Sequence, residues 1–217
     1  MKNNTKRAFT LAELLIALGI IGAIAAIAIP SVWGNLNNKI LVTSLKNNVA
    51  NIQNLVGTQL VLYKTKKISS TDFSAADKLL KDENFNIVRN CEATLAQKDC
   101  WKTKGEGTNA AKVKYRYIAS NTVIEPEARQ TVILSNGSIM SYEPPSDSVN
   151  YGIVQIDTNG NDAPNIVGRD FFEFRISEDG RVIGNDDTDA NNLTKCKSNS
   201  ALACFTNVIR ANWKIEY

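Results

Sequence analysis

A basic leader followed by a bilayer-length apolar run constrains this chain more than anything else in it. Residues 6–30 read KRAFTLAELLIALGIIGAIAAIAIP, with one carboxylate, Glu13, near the start. A helix over residues 9–29 would measure about 31 Å, which matches a hydrocarbon core of about 30 Å. An acid inside hydrocarbon costs about 2.5–3.5 kcal/mol on insertion scales and marks function by default. No basic residue occurs between Phe9 and Pro30, so a partner for Glu13 must come from a chain end, another molecule or water. Lys2, Lys6 and Arg7 hold the amino terminus in the cytoplasm and direct the remainder outward. An ordinary secretory signal has a shorter apolar region, about 7–15 residues, ending in a small-x-small site. Ala26-Ile27-Ala28 imitates such a site, but cleavage there leaves Glu13 and the continuing helix unexplained.

Residues 7–13, RAFTLAE, resemble the processing site of type IV prepilins and type II secretion pseudopilins. The resemblance implies a membrane peptidase that cuts between Ala8 and Phe9 and methylates the new amino terminus on Phe9. Glu13 then becomes the fifth residue of the mature chain, where the family carries its assembly acid. Pro30 falls where type IVa pilins carry a helix-breaking proline at the end of the membrane segment. The sequence departs from the family at Ala8, where glycine is usual, though small size is kept.

The resemblance divides the chain into a cytoplasmic leader (1–8), a transmembrane and assembly helix (9–30) and an exported pilin-like domain (31–217). Its implied partners are prepilin peptidase, other pilin or pseudopilin subunits in a homo- or hetero-filament, and an inner-membrane assembly platform. Its implied location is the inner membrane, then a periplasmic pseudopilus or a cell-surface pilus. It is specific over residues 6–30, extends in outline to about residue 65, and is weak at individual positions beyond.

Composition closes off several function classes. Of 25 basic side chains, Lys2, Lys6 and Arg7 lie in the proposed leader, which leaves 22 against 22 acidic ones. That balance is no nucleic-acid footprint, and scattered lysines such as Lys64, Lys66 and Lys67 read as solvated faces. Histidine is absent, which removes Ser-His-Asp and Cys-His nucleophile pairs and His-containing zinc sites. Gly105, Gly107 and Gly137 form no phosphate-cradling fingerprint, so an enzyme is not expected. Cys91 with Cys100 and Cys196 with Cys204 form two local pairs. In an oxidising compartment short-range pairing is the simplest of three connectivities, each loop contributing about 2–3 kcal/mol. A zinc site of all four cysteines is the rival, against which stands the lack of short C-x2-4-C spacing. Pilins often close a loop near the carboxyl terminus by a disulfide, and the resemblance assigns that role to Cys196 and Cys204.

After Pro30 the pattern turns amphipathic. Leu41, Leu45, Val49, Ile52, Val56 and Tyr63 recur at helical spacings among Asn, Lys and Gln, which predicts a helix packed on its own domain. Joined to the membrane segment it gives a helix of about 55 residues, bent or loosened at Pro30 and Gly34. A short helix is expected over 74–81. Residues 131–142 read as a hairpin whose Asn136-Gly137 supplies a type I′ turn. Strands follow at 151–156, 171–176 and 181–183, the last two joined through Asp179-Gly180. A long helix before a run of antiparallel strands argues for an α+β fold with the sheet laid on the amphipathic half, the ladle shape that the pilin resemblance also implies.

The best candidate for a ligand site is the loop 157–170. Asp157, Asn159 and Asn161 alternate like the first half of a calcium loop, and Asp170 could complete the set. An EF-hand, however, wants glycine and glutamate where this chain has Asp162 and Gly168. The plainer reading is that Asn, Asp, Gly and Pro build turns here. Major pseudopilins bind calcium in a loop of the sheet region, so the resemblance points to calcium and to the secretion type. Residues 185–189, NDDTD, read as an exposed loop. Residues 208–217 read equally as an edge strand or a short helix, with Trp213 and Tyr217 on the second disulfide. The competing reading is a monomeric membrane-anchored binding protein that uses residues 9–30 only as a tether, and a secreted enzyme is third.

Overall fold

The computed structural model describes residues 10–93, 100–101 and 113–217, apart from the side chains of 27–35. Two compact units emerge, Met1–Asn38 and Lys39–Tyr217. One helix, α1 (Leu11–Leu62), runs through both. Pro30 and Gly34, expected to break or loosen it, lie inside the helical run. Proline removes one donor and crowds the carbonyl four residues back, a local defect that does not end a helix bonded on both sides of it.

In the first unit the large apolar side chains between residues 11 and 24 are all 55–79% exposed. A helix apolar on every side is one that lipid or other helices must cover. Among the described residues no helix is long and apolar enough to cross a membrane. The first stretch of α1 described with its side chains covers residues 11–26, or about 24 Å, and the span expected over 9–30 continues past both its ends.

In the second unit α1 is amphipathic. Leu41, Val42, Leu45, Val49, Ile52 and Val56 are at most 6% exposed, and from Val42 on a spacing of three or four residues places them on one face. The stripe closes at buried Gln59. Tyr63, expected to continue it, is 47% exposed. The helix ends before that position can turn inward: Lys64 adopts φ 49°, and the N–H groups of Lys64 and Thr65 return to the carbonyls of Val61 and Leu60. This is a Schellman ending. Gln59 then exchanges two hydrogen bonds of 3.0 Å with Asp72, whose carboxylate also accepts the Tyr63 hydroxyl at 2.7 Å.

The six-stranded sheet is antiparallel throughout, in the order β1 (Ile87–Cys91), β4 (Gln130–Leu134), β5 (Ile139–Glu143), β6 (Tyr151–Asp157), β7 (Phe171–Ser177), β8 (Val182–Ile183). A separate ribbon pairs β2 (Tyr115–Arg116) with β3 (Val123–Ile124). The fold is α+β, a long N-terminal helix followed by an antiparallel sheet. The segment expected to be helical over 74–81 is a 3₁₀ turn, Asp72–Ser74, followed by the single turn α2 (Ala76–Leu79). Two helices near the carboxyl end, α3 (Asn192–Ser198) and α4 (Ala201–Arg210), were not expected. Residues 208–210 finish α4, and residues 211–217 form neither helix nor strand. Phe205 of α4 stacks on Phe174 of β7 at 4.8 Å, and Trp213 meets Phe205 edge-on.

The β4–β5 turn is not type I′, which requires positive φ at both central residues. Gly137 has φ 85°, while Asn136 is not among the positive-φ residues. Gly137 N–H donates to the Leu134 carbonyl at 2.9 Å, and Leu134 N–H donates to the Ser138 carbonyl at 2.9 Å. This is a type I turn closed by a left-handed glycine. Asn136 acts through its side chain instead, with Oδ1 accepting from Ser138 N–H and Nδ2 donating to Asn48 of α1. The β7–β8 turn repeats the bonding, with Gly180 at φ 85°.

These two glycines give a paired test. A Cβ at Gly180 would lie 2.5 Å from Val56 Cγ1, whereas at Gly137 nothing lies within 4 Å. Gly137→Ala is expected to cost about 1–2 kcal/mol of left-handed strain, and Gly180→Ala measurably more. Denaturant unfolding compares them, and equal costs would mean that α1 is not seated against the β7–β8 turn.

Candidate functional site

Ala8 and Phe9, the expected cleavage pair and methylation site, lie outside the described residues. Glu13 is described, and it has a partner that the sequence reading did not supply. Its Oε2 accepts from Thr10 N–H and from Thr10 Oγ1, both at 2.9 Å, while Glu13 N–H donates back to Thr10 Oγ1 at 3.2 Å. This is a capping box, in which an N-cap threonine and a glutamate three residues on satisfy each other's backbone donors. The first turn of a helix also favours negative charge. The Thr-x-x-Glu spacing before an apolar run was the available signal, hidden by treating Glu13 only as an acid in lipid.

The cysteines are joined as Cys91–Cys100 and Cys196–Cys204. No free cysteine remains among the described residues, so the four-thiolate zinc alternative is lost. The first bridge fixes the end of β1 beside buried Trp101, whose indole N–H donates to Thr131 Oγ1 at 3.1 Å. The second joins α3 to α4 and presses on the candidate loop. A Cβ at Gly168 would meet Cys204 Sγ at 2.7 Å and Cys196 Sγ at 3.1 Å, and its φ of 87° suits glycine. Tyr217 donates its hydroxyl to the Gly168 carbonyl at 2.7 Å.

The loop 157–170 leaves the end of the β6–β7 ladder, where Asp157 faces Phe171. Two of its three acids, Asp157 and Asp170, are buried, and each holds backbone. Asp157 accepts the Tyr115 hydroxyl at 2.5 Å and Asn159 N–H at 3.0 Å. Asp170 accepts Asn165 N–H at 2.6 Å and Ile166 N–H at 2.7 Å. Asn159 Nδ2 donates to the carbonyls of Asp162 and Ala163, and Asn161 Nδ2 to that of Cys100. The Oδ1 atoms of Asn159, Asn161 and Asn165 are buried without a hydrogen-bond partner. Among the described residues no group of three or more His, Cys, Asp or Glu could hold a metal ion. The structure therefore brings the expected residues into one loop, with the carboxylates oriented by amides and a phenol. Residues 185–189 do similar local work: Asp186 and Asp189 accept the N–H groups of Thr188 and Asn191, and Asp187 and Asp189 pair with Arg210 and Lys195.

Burial pushes the Asp170 carboxyl up from 3.8 to about 6, against the pull of the Ile166 and Asn165 amides. Burial, then the charge of Asp170, raises Asp157 well above its ordinary value, opposed by Tyr115 and the Asn159 amide. Burial and the Asp157 charge raise the Tyr115 phenol likewise. Between the unfolded and folded values of Asp170 the native state holds more protons than the unfolded one, so its contribution to stability falls as pH rises through that window. The stability of the wild type relative to Asp170→Asn is expected to be greatest near about pH 4 and to shrink by about 1–3 kcal/mol by about pH 7. Thermal unfolding in chelator at each pH measures this, and a difference flat with pH would mean that Asp170 stays ionised throughout.

Residues 3–29 match the family model for the prokaryotic N-terminal methylation motif. No curated protein and no solved structure matches the chain. The chain carries the prepilin-type signature, which supports a type IV pilin-like or pseudopilin-like protein and implies processing by prepilin peptidase and assembly with other pilin subunits.

Proposed function

We propose that this chain is a structural subunit, made as a single-pass inner-membrane protein, cut between Ala8 and Phe9 and methylated on Phe9. It then assembles through residues 9–30 into a type II secretion pseudopilus or a type IV pilus, with residues 31–217 as the exported domain. The observation that carries this reading is the methylation motif lying on a helix start whose large apolar side chains are all exposed around a capped acid. Such a surface needs lipid before assembly and neighbouring helices after it.

The capping box supplies a chemical route. Both Thr10 donors reach Oε2 of Glu13, and among the described residues none bonds Oε1. The cap survives processing, because Thr10 N–H belongs to the peptide bond with Phe9, which a cut after Ala8 leaves intact. An ammonium at Phe9 of a neighbouring subunit can then pair with Oε1 without opening the cap. A carboxylate without a counter-charge in lipid is exchanged for an ion pair in a helical bundle, and repetition of such a heterologous contact builds an open filament. A monomeric tether requires no acid at position 13.

The intact mass and amino-terminal sequence of protein from its native membrane test processing, and a chain starting at N-methylated Phe9 is expected. Glu13→Ala and Glu13→Gln should both insert into the membrane yet enter fibres several-fold less than wild type. Glutamine keeps an acceptor for the cap and loses only the charge, so normal incorporation of that variant would refute the ion pair.

A second reading concerns the loop 157–170. The partnerless oxygens of Asn159 and Asn161 favour calcium, held beside Asp157 and Asp170, with the secretion-type pseudopilin as its setting. Neutral amide and carboxylate oxygens are the donors that such a hard ion takes. Calorimetry of the full chain at millimolar calcium should give saturable heat and a raised melting temperature, and the absence of both removes the ion.

A further inference from the structure

Arg116 and Arg169 line one cleft of about 590 Å³, together with Ser120, Asn121, Ile166 and Tyr217. Their backbones are fastened to the same strip of chain. Arg116 N–H donates to the Asn165 carbonyl and its own carbonyl accepts from Val167 N–H, both at 3.1 Å, while Arg169 N–H donates to the Ile166 carbonyl at 3.0 Å. Asp170 in turn accepts the N–H groups of Asn165 and Ile166. The two side chains therefore rise from positions that are fixed relative to each other.

Other arginines of this domain have compensation. Arg129 pairs with Glu127 and Glu143, Arg181 with Asp179 and Arg210 with Asp187, while Arg175 lies over the Tyr151 ring at 4.3 Å. Among the described residues neither Arg116 nor Arg169 makes a salt bridge. Glu173, whose charge reaches Tyr117 in the cleft wall, accepts the Gln155 amide at 2.9 Å. Ser120 and Tyr217 already donate to the carbonyls of Ser198 and Gly168, which leaves the two guanidinium groups, with the neutral Asn121 amide beside them, to meet a ligand. Two like charges in one concavity raise its positive potential, and the guanidinium fork matches phosphate oxygens two at a time.

We propose that this cleft binds a phosphate group through Arg116 and Arg169, either as the free anion or as the monoester of a small sugar. The volume lies within the usual range of about 300–1,000 Å³ for small-ligand sites. A dianion balances the two uncompensated cations.

Isothermal titration of the full chain in non-ionic detergent, with inorganic phosphate, glucose 6-phosphate and glucose as the probes, tests it. Saturable binding of at least one anion and none of glucose is expected, weakened about tenfold or more in Arg116→Gln and in Arg169→Gln and reduced by salt. Arg169→Lys keeps the charge without the fork and should fall between wild type and Arg169→Gln. Tighter binding of glucose 6-phosphate than of phosphate assigns the cleft walls to a sugar, and equal binding assigns the site to the bare anion. No saturable heat with either anion, or unchanged affinity in both glutamine variants of unchanged melting temperature, overturns the proposal.

Discussion

The second unit, Lys39–Tyr217, depends on one stripe of α1. Leu45, Val49, Ile52 and Val56 are nearly or fully buried, and each such side chain contributes about 1.5–3 kcal/mol when removed from water. The same face carries a polar seam that fixes position rather than adding bulk. Asn48 donates to Ser138 Oγ and accepts from Asn136, and Ser44 donates to the Thr158 carbonyl. Through these contacts the helix holds both the β4–β5 turn and the first residues of the loop 157–170. Hydrophobic burial here sets the depth of the helix, and a few hydrogen bonds set its rotation and height.

The two halves of α1 show how one secondary structure serves opposite solvation demands. Between residues 11 and 24 every large apolar side chain is exposed, whereas between residues 41 and 56 apolar side chains return with helical period and turn inward. The first pattern cannot be satisfied by this chain's own domain, and the second is satisfied by it. Glu13 sits where the unsatisfied half begins, and its cap ties up one carboxylate oxygen only. An acid that was simply buried would be unfavourable in lipid, and one fully satisfied by its own helix would have little to offer a neighbour. In the filament proposed above, the capping box places Glu13 between those extremes.

Legibility in the sequence tracks the range of the forces involved. The apolar run, the amphipathic stripe and the strands at 151–156 and 171–176 are local patterns, and the structure has them. The β4–β5 hairpin was legible from Asn136-Gly137, but its turn type was not, because Asn136 is drawn into a side-chain bond with Asn48 that lies 88 residues away. Ile87–Cys91 shows little alternation and exists as a strand through its pairing with β4. The apolar positions of α4, Leu202, Phe205 and Val208, have helical spacing, but attention to Cys196 and Cys204 as a loop closure obscured it. Asp157, Asn159, Asn161 and Asp170 were legible as one loop by proximity alone. Tyr115, which contacts Asp157 across 42 residues of sequence, and the Arg116 beside it were not.

That long-range contact explains why the loop's acids are tolerated. An isolated ionised carboxylate is costly in a buried setting unless it is hydrogen-bonded. Tyr115 answers Asp157, stacked on Phe171 at 4.3 Å and flanked edge-on by Trp101. Asp170 answers the cost differently, by collecting the amides of Asn165 and Ile166. The same two residues carry the backbone groups that bind Arg116 and Arg169, and Gly168, two positions after Ile166, is packed against the second disulfide. Acid, disulfide and cleft thus share one short length of chain. Asn165 and Ile166 connect Asp170 to the backbone of both arginines, whereas Tyr115 connects Asp157 to the aromatic cluster and to the ribbon that carries Arg116.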